Sequence, residues 1–100
     1  MTELRISRDA QHDLRDIMSF SKARFGVAVA RAYLRGLHDV FVTLRERPLI
    51  GVARGDLGRE VRALSYRSHR IYDETEGGSV DILRVLHHAR DVPTAVAPFP

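Results

Sequence analysis

The sequence contains no cysteine, a single lysine and no apolar run approaching a membrane span. Without cysteine, disulfides and thiolate zinc sites are excluded, which fits a reducing compartment. A membrane helix needs about 20 consecutive apolar residues, so none is expected. The first residues, MTELRISRDA, hold no apolar core of the signal-peptide kind, so no signal peptide is expected. His12 and His38 fall on helical stretches without partner ligands, so neither a metal site nor a cofactor is expected. Internal repeats and low-complexity segments are absent as well. The lone lysine is Lys22, so fifteen of the sixteen basic residues are arginine. Arginine suits bidentate contact with carboxylate or phosphate, although a genome biased toward arginine codons explains the ratio at least as well. Net charge is +3, with nine basic and six acidic residues in positions 1–50 and seven of each in 51–100. No run is polybasic, and charge alone does not establish nucleic-acid binding.

What is present is ordinary for a globular chain: 44% hydrophobic and 29% charged residues over 100 positions, which reads as one domain, 1–100. The richest stretch is Gly58 to Asp91. Three runs of β-branched and aromatic residues follow one another there: Glu60–Tyr66, His69–Glu74 and Ser79–His87. Glu76-Gly77-Gly78 supplies the positive-φ positions of a hairpin, and Arg67-Ser68 a shorter turn. The pattern predicts an antiparallel meander. Val80–Leu86 is almost continuously apolar, so both its faces should be covered and the strand is placed centrally.

Ahead of the meander, Leu4 and Ile6 alternate with polar residues as in a short strand that could close one side of the sheet. Ser7 or Asp9 can cap a helix from about Arg8 to Phe25, with Ala10, Leu14, Ile17, Met18, Ser21 and Phe25 on one face. Gly26 sits where a left-handed C-cap belongs. A second helix, about Val27 to Glu46, carries Ala30, Leu34, Leu37, Phe41 and Leu44, widened by Val27, Tyr33 and Val40; Pro48 ends it. Two helices joined so tightly fold back as a hairpin, and both stripes need the sheet to bury them. Gly36, inside the second helix, is read as allowing close approach to the first. Residues 48–58 read as an ordered irregular connector. After Asp91 the tail carries three prolines with Val92, Val96 and Phe99, an apolar surface that packs on the domain or meets a partner.

The resulting fold class is α+β, in the order β-α-α-β-β-β, an antiparallel sheet packed against an N-terminal helical hairpin. On DLRDIMSFSKARFG at 13–26, the Pro48…Gly51 connector, VRAL at 61–64, HRIYDE at 69–74 and ILRVLHHARD at 82–91, the chain resembles the ParE branch of the RelE/ParE toxin superfamily. The resemblance implies a small cytoplasmic toxin of a type II toxin–antitoxin system. It implies a ParD-like ribbon-helix-helix antitoxin that folds a segment over the toxin, with DNA reached only indirectly through that complex and no membrane contact. It also implies DNA gyrase as target, by binding rather than catalysis. Two other readings stay open: a RelE-like ribosome-dependent mRNA endonuclease, and a non-toxic antitoxin-binding relative.

Metal-free RNA cleavage needs a base for the 2′-OH, cations for the phosphorane and an acid for the leaving oxygen. Arg70, Arg84, His87 and Arg90 are the residues that would serve a nuclease. The sheet lysine and C-terminal tyrosine of many RelE-like relatives have no counterpart, since Lys22 is helical and no tyrosine follows Tyr72. Arginines without an acid–base pair suit binding better, so no catalytic residue is assigned. Arg62, Arg70, Arg84, His87, His88 and Arg90 are the candidates for target contact; Tyr33, Val92, Val96 and Phe99 those for antitoxin contact. Each has a plainer reading. Arg84 can pair across the sheet with Asp73, Glu74 or Asp81, one of His87 and His88 can be packed or hydrogen-bonded, and Tyr33 can be packing.

Overall fold

Ser7 begins the helical layer. With φ −60° and ψ 161° it lies outside the helix, and its Oγ accepts the Ala10 N–H at 3.0 Å while donating to the Leu83 carbonyl at 2.9 Å. One hydroxyl thus caps α1 (Arg8–Phe25) and ties its start to the sheet. Gly26 ends α1 and starts α2 (Val27–Glu46) at φ 92°, ψ 167°, a region open essentially to glycine alone. Its positive φ was expected; its extended ψ differs from a left-handed cap and lets a single residue turn the chain between two helices. The computed structural model describes residues 2–90. None of its helices is long and apolar enough to cross a membrane.

The strands are β1 (Glu3–Ile6), β2 (Val52–Ala53), β3 (Val61–Tyr66), β4 (His69–Glu76) and β5 (Ser79–His87). They form one sheet in the order β1-β5-β4-β3-β2. The meander β3–β4–β5 is antiparallel, as expected, and β1 pairs with β5 in parallel, closing that side. One detail differs from expectation. The connector contributes β2, a two-residue strand beside β3, too short to show a period of two. β5 is interior, between β1 and β4, in keeping with its apolar run.

A register shift explains the apolar run of β5. Tyr72 pairs with Arg84 but Asp73 pairs with Ile82, so Leu83 is an extra residue on β5. The inserted residue restores the helix-facing side after an odd step, so Val80, Ile82 and Val85 all enter one core with Ile17, Leu37, Phe41, Leu44 and Ile71. Leu14 and Leu34 pack against it. Leu86 joins Leu57, Val61, Ala63 and Tyr72 in a second cluster, with Leu83 packed on it. The helical stripes stop short of the hairpin tip: Phe25 and Val27, read as buried, are 58% and 46% exposed. Gly36 also serves a different contact. A Cβ there would fall on the ring and hydroxyl of Tyr66, so the close approach is to β3 and not to α1.

Beyond Ile6, β1 no longer covers the edge of β5, and Asp13 of α1 takes over. Its carboxylate receives Arg84 Nε at 2.8 Å, Arg84 Nη2 at 2.9 Å and the backbone N–H of Val85 at 2.9 Å. Arg84 is therefore paired with the helix rather than with Asp73, Glu74 or Asp81, a partner 71 positions away in sequence. The pair is mostly sheltered, 20% and 11% exposed, and hydrogen-bonding lifts the Arg84 pKa further above its usual value.

Asp13→Ala should cost about 3–5 kcal/mol in denaturant titration, since it strands a sheltered guanidinium and an edge N–H; a loss under about 1 kcal/mol would refute this role. At Gly36, alanine normally gains about 1 kcal/mol in a helix interior. Here we expect no gain, and the gain to return once Tyr66 is also changed to alanine.

Candidate functional site

At the tip of the hairpin, the last turns of α1, the first turns of α2, the β3–β4 turn and the end of β5 surround a groove of about 450 Å³. Phe20, Phe25, Val29, Tyr33, His69 and His87 line it. Phe20, Phe25 and Val29 are 62%, 58% and 51% exposed, an apolar surface that the fold leaves uncovered. The turn beneath it is strained: Arg67 sits at φ 49°, with its guanidinium 5.7 Å from the Tyr66 ring.

Tyr33 organises this end. Its ring meets Tyr66 and His69 edge-on, with centroids 5.3 and 5.4 Å apart. Its hydroxyl lies 2.7 Å from His69 Nδ1, accepts the Ser68 N–H at 3.3 Å, and reaches the Tyr66 carbonyl only at 3.4 Å. The shortest of these contacts is met by the hydroxyl donating to Nδ1, leaving the proton of neutral His69 on Nε2. Burial, helped by His87 and His88 and opposed by Asp13, pushes the His69 pKa down from 6.5 to about 4. Burial likewise raises Tyr33 above 10.0. Both groups are thus neutral across the physiological range.

The sequence candidates scatter around this arrangement. His87 touches the His69 ring edge-on at 5.4 Å, and its Nδ1 accepts the Ala89 N–H at 3.0 Å. The Ala89 backbone thus orients the His87 ring. His88 donates from Nε2 to the His69 carbonyl at 3.1 Å, and its own N–H bonds Ser68 O. Both are exposed and hydrogen-bonded, and neither is core-packed. Arg90 is exposed just past β5; Arg70 is half-buried opposite Ser65 and Leu86. Two candidates are structural. Arg84 is held by Asp13, and Arg62 donates from Nη1 to the Gly51 carbonyl at 3.1 Å. Tyr33 is half-buried and bonded, so its packing role is real. Val92, Val96 and Phe99 lie outside the described residues.

The sequence model described as "ParE toxin of type II toxin-antitoxin system, parDE" matches residues 4–92. The chain belongs to the ParE toxin family. It is 35% identical over 89 residues to Toxin ParE1 of Caulobacter vibrioides, covering 89% of this chain and 92% of that one. It is 35% identical over 88 residues to Toxin ParE1 of Mycobacterium tuberculosis, covering 87% and 90%. A solved structure titled "Chromosomal ParDE TA system from P. aeruginosa" superposes with a TM-score of 0.76 at 21% identity, over 87% of this chain and 96% of that one. That likeness supports the fold.

This ParE-family chain carries one further titratable group that sequence reading did not single out as a site. Asp73 on β4 is fully buried, and neither carboxylate oxygen finds a hydrogen-bond partner among the described residues. Its cross-strand neighbour is Arg62. Burial outweighs Arg62 and lifts the Asp73 pKa from 3.8 to about 7.

Asp73 and His69 therefore act on stability in opposite senses. The raised carboxyl binds its proton more tightly when folded, so its contribution is full below about 4 and is lost as pH rises through about 7. The depressed imidazole contributes above about 6.5, and its contribution is lost as pH falls through about 4. Thermal melts from pH 4 to 7.5 should show Asp73→Asn losing stability on acidification relative to the parent. His69→Gln should lose it on alkalinisation. Two variants departing from the parent in the same direction would contradict the assignment.

Proposed function

We propose that this chain is the toxin of a two-component system, that a ParD-like ribbon-helix-helix antitoxin neutralises it, and that it acts in the cytoplasm by binding DNA gyrase. The family match over residues 4–92 carries the reading. The site geometry supports binding over catalysis. Arg84, one of the cations a phosphoryl-transfer site would want, is already committed to Asp13. His69 is held neutral, and its Nδ1 is occupied by Tyr33. An antitoxin also has surface to cover. Leu49 and Val52, on and beside β2, are 61% and 70% exposed, which is costly for a chain that functions alone. An antitoxin segment that folds on binding would bury such side chains and set the ordering cost against the area gained.

The test has two arms. Purified toxin with gyrase, ATP and supercoiled plasmid should accumulate cleaved DNA or abolish supercoiling, and addition of the ParD-like protein encoded beside it should restore activity. Purified toxin with programmed ribosomes should leave mRNA intact. Codon-dependent cuts that vanish in His87→Ala or Arg70→Ala, with gyrase unaffected, would replace this reading with the nuclease one.

A further inference from the structure

Charge is divided unevenly along the molecule. The segments Ile17–His38, Tyr66–Arg70 and His87–Arg90 carry seven Lys or Arg and no Asp or Glu. The cations are Lys22, Arg24, Arg31 and Arg35 on the hairpin, Arg67 at the β3–β4 turn, Arg70 on β4 with its side chain alternating away from that of His69, and Arg90 after β5. The rest of the chain holds the other nine cations and all thirteen acids. The three acid-free segments are those that meet at the groove. Asp16, Asp39 and Asp91 bound these segments in the sequence. Asp13 is bound to Arg84, and Asp16, one turn before Phe20, lies 3.7 Å from His12 Nδ1.

Inside this cationic end the groove is built from rings. Phe20, Phe25, Tyr33, His69 and His87 outnumber its aliphatic Val29. Guanidinium groups already lie over two rings at this end, Arg24 over Phe20 at 5.9 Å and Arg67 over Tyr66 at 5.7 Å. Exposed rings beside cations are a stacking platform, because every nucleobase has a face to offer and every nucleotide a phosphate. The donors fit as well. His87 accepts at Nδ1 from Ala89, so when neutral it carries its proton on Nε2, as His69 does; each leaves an N–H able to meet a base-edge or phosphate oxygen. A duplex keeps its base faces hidden, and an apolar helix from a protein partner would want a long aliphatic trough, which these rings do not make.

We propose that this end of the molecule binds single-stranded nucleic acid, with bases stacked on Phe20 and Phe25 and phosphates held by the surrounding cations. This activity is separate from the gyrase and antitoxin reading and stands or falls without it. The groove reads base faces and phosphates, so DNA and RNA strands share the site.

The test is fluorescence anisotropy of full-length toxin with a labelled twelve-residue oligo(dT), and in a parallel arm oligo(U). Both should bind at 50 mM salt, with affinity falling about tenfold or more by 200 mM. Phe20→Ala/Phe25→Ala should weaken binding about tenfold or more, and Arg24→Glu similarly. Both phenylalanines are largely exposed, so circular dichroism and melting of the variant should stay close to the parent. Arg59→Glu, away from the groove, should change affinity less than about twofold. The proposal is overturned by absence of oligonucleotide binding at 50 mM salt. It is equally overturned by binding indifferent to the two phenylalanines, by duplex bound as tightly as single strand, or by an acidic amphipathic peptide that occupies the groove while oligonucleotides fail to displace it.

Discussion

The contact on which the rest depends is the Asp13 carboxylate at the edge of β5. It closes three donors at once, two from Arg84 and one from the Val85 backbone. β1 pairs with β5 only through Ile82, and without a substitute the second half of β5 would have an open edge. Asp13 supplies that substitute from a helix. A parallel edge strand, a helix N-terminus capped by Ser7 and a charged fork thus form one continuous seam along β5. The helical hairpin is thereby fixed over the sheet at its root, while its tip, with Phe20, Phe25 and Val29, is left free of the core.

That seam also decides which charges remain for function. Sequence patterning marks Arg62 and Arg84 as functional because each interrupts an apolar strand. The structure gives each a local acceptor, Gly51 and Asp13. An arginine on a largely covered strand needs such partners, because a sheltered unpaired charge is costly. The cations left to meet a ligand are those on helices and turns, where water satisfies them until something else does.

Much of the fold was legible because two periods, 3.6 and 2, govern its longest elements. The boundaries of α1, α2 and β5 could be read from periodicity and from Ser7, Gly26 and Pro48. β2 could not, since two residues carry no period. Neither could the Leu83 bulge, which the near-continuous apolarity of β5 masks: an inserted residue changes no hydrophobic symbol when both faces are apolar. The site was less legible. His87, His88 and Arg90 drew attention as a cluster in sequence, whereas His69 looked like the first residue of a strand. Its role comes from Tyr33, 36 positions earlier, and no local pattern encodes that distance. A signal did exist in retrospect: a tyrosine on an otherwise apolar helical stripe needs somewhere to place its hydroxyl. Asp73 was hidden differently. In the sequence it reads as one of three possible partners for Arg84, and only its place opposite Arg62 and Ile82 in the middle strand reveals its burial.

The two buried titratable groups mark two kinds of burial. Asp73 has no hydrogen-bond partner among the described residues and responds by favouring its neutral form. His69 is half-buried and partnered; burial is again the main cause of its neutrality, helped by two neighbouring imidazoles that oppose a positive charge, and the hydroxyl at its Nδ1 is matched to the uncharged ring. A charged imidazole at that position would add one more cation beside His87 and His88, and the carboxylate that favours it, Asp13, is already bound to Arg84. Burial thus keeps His69 neutral against the pull of Asp13, leaving the groove beside it lined by rings and N–H donors while the surrounding arginines supply the charge.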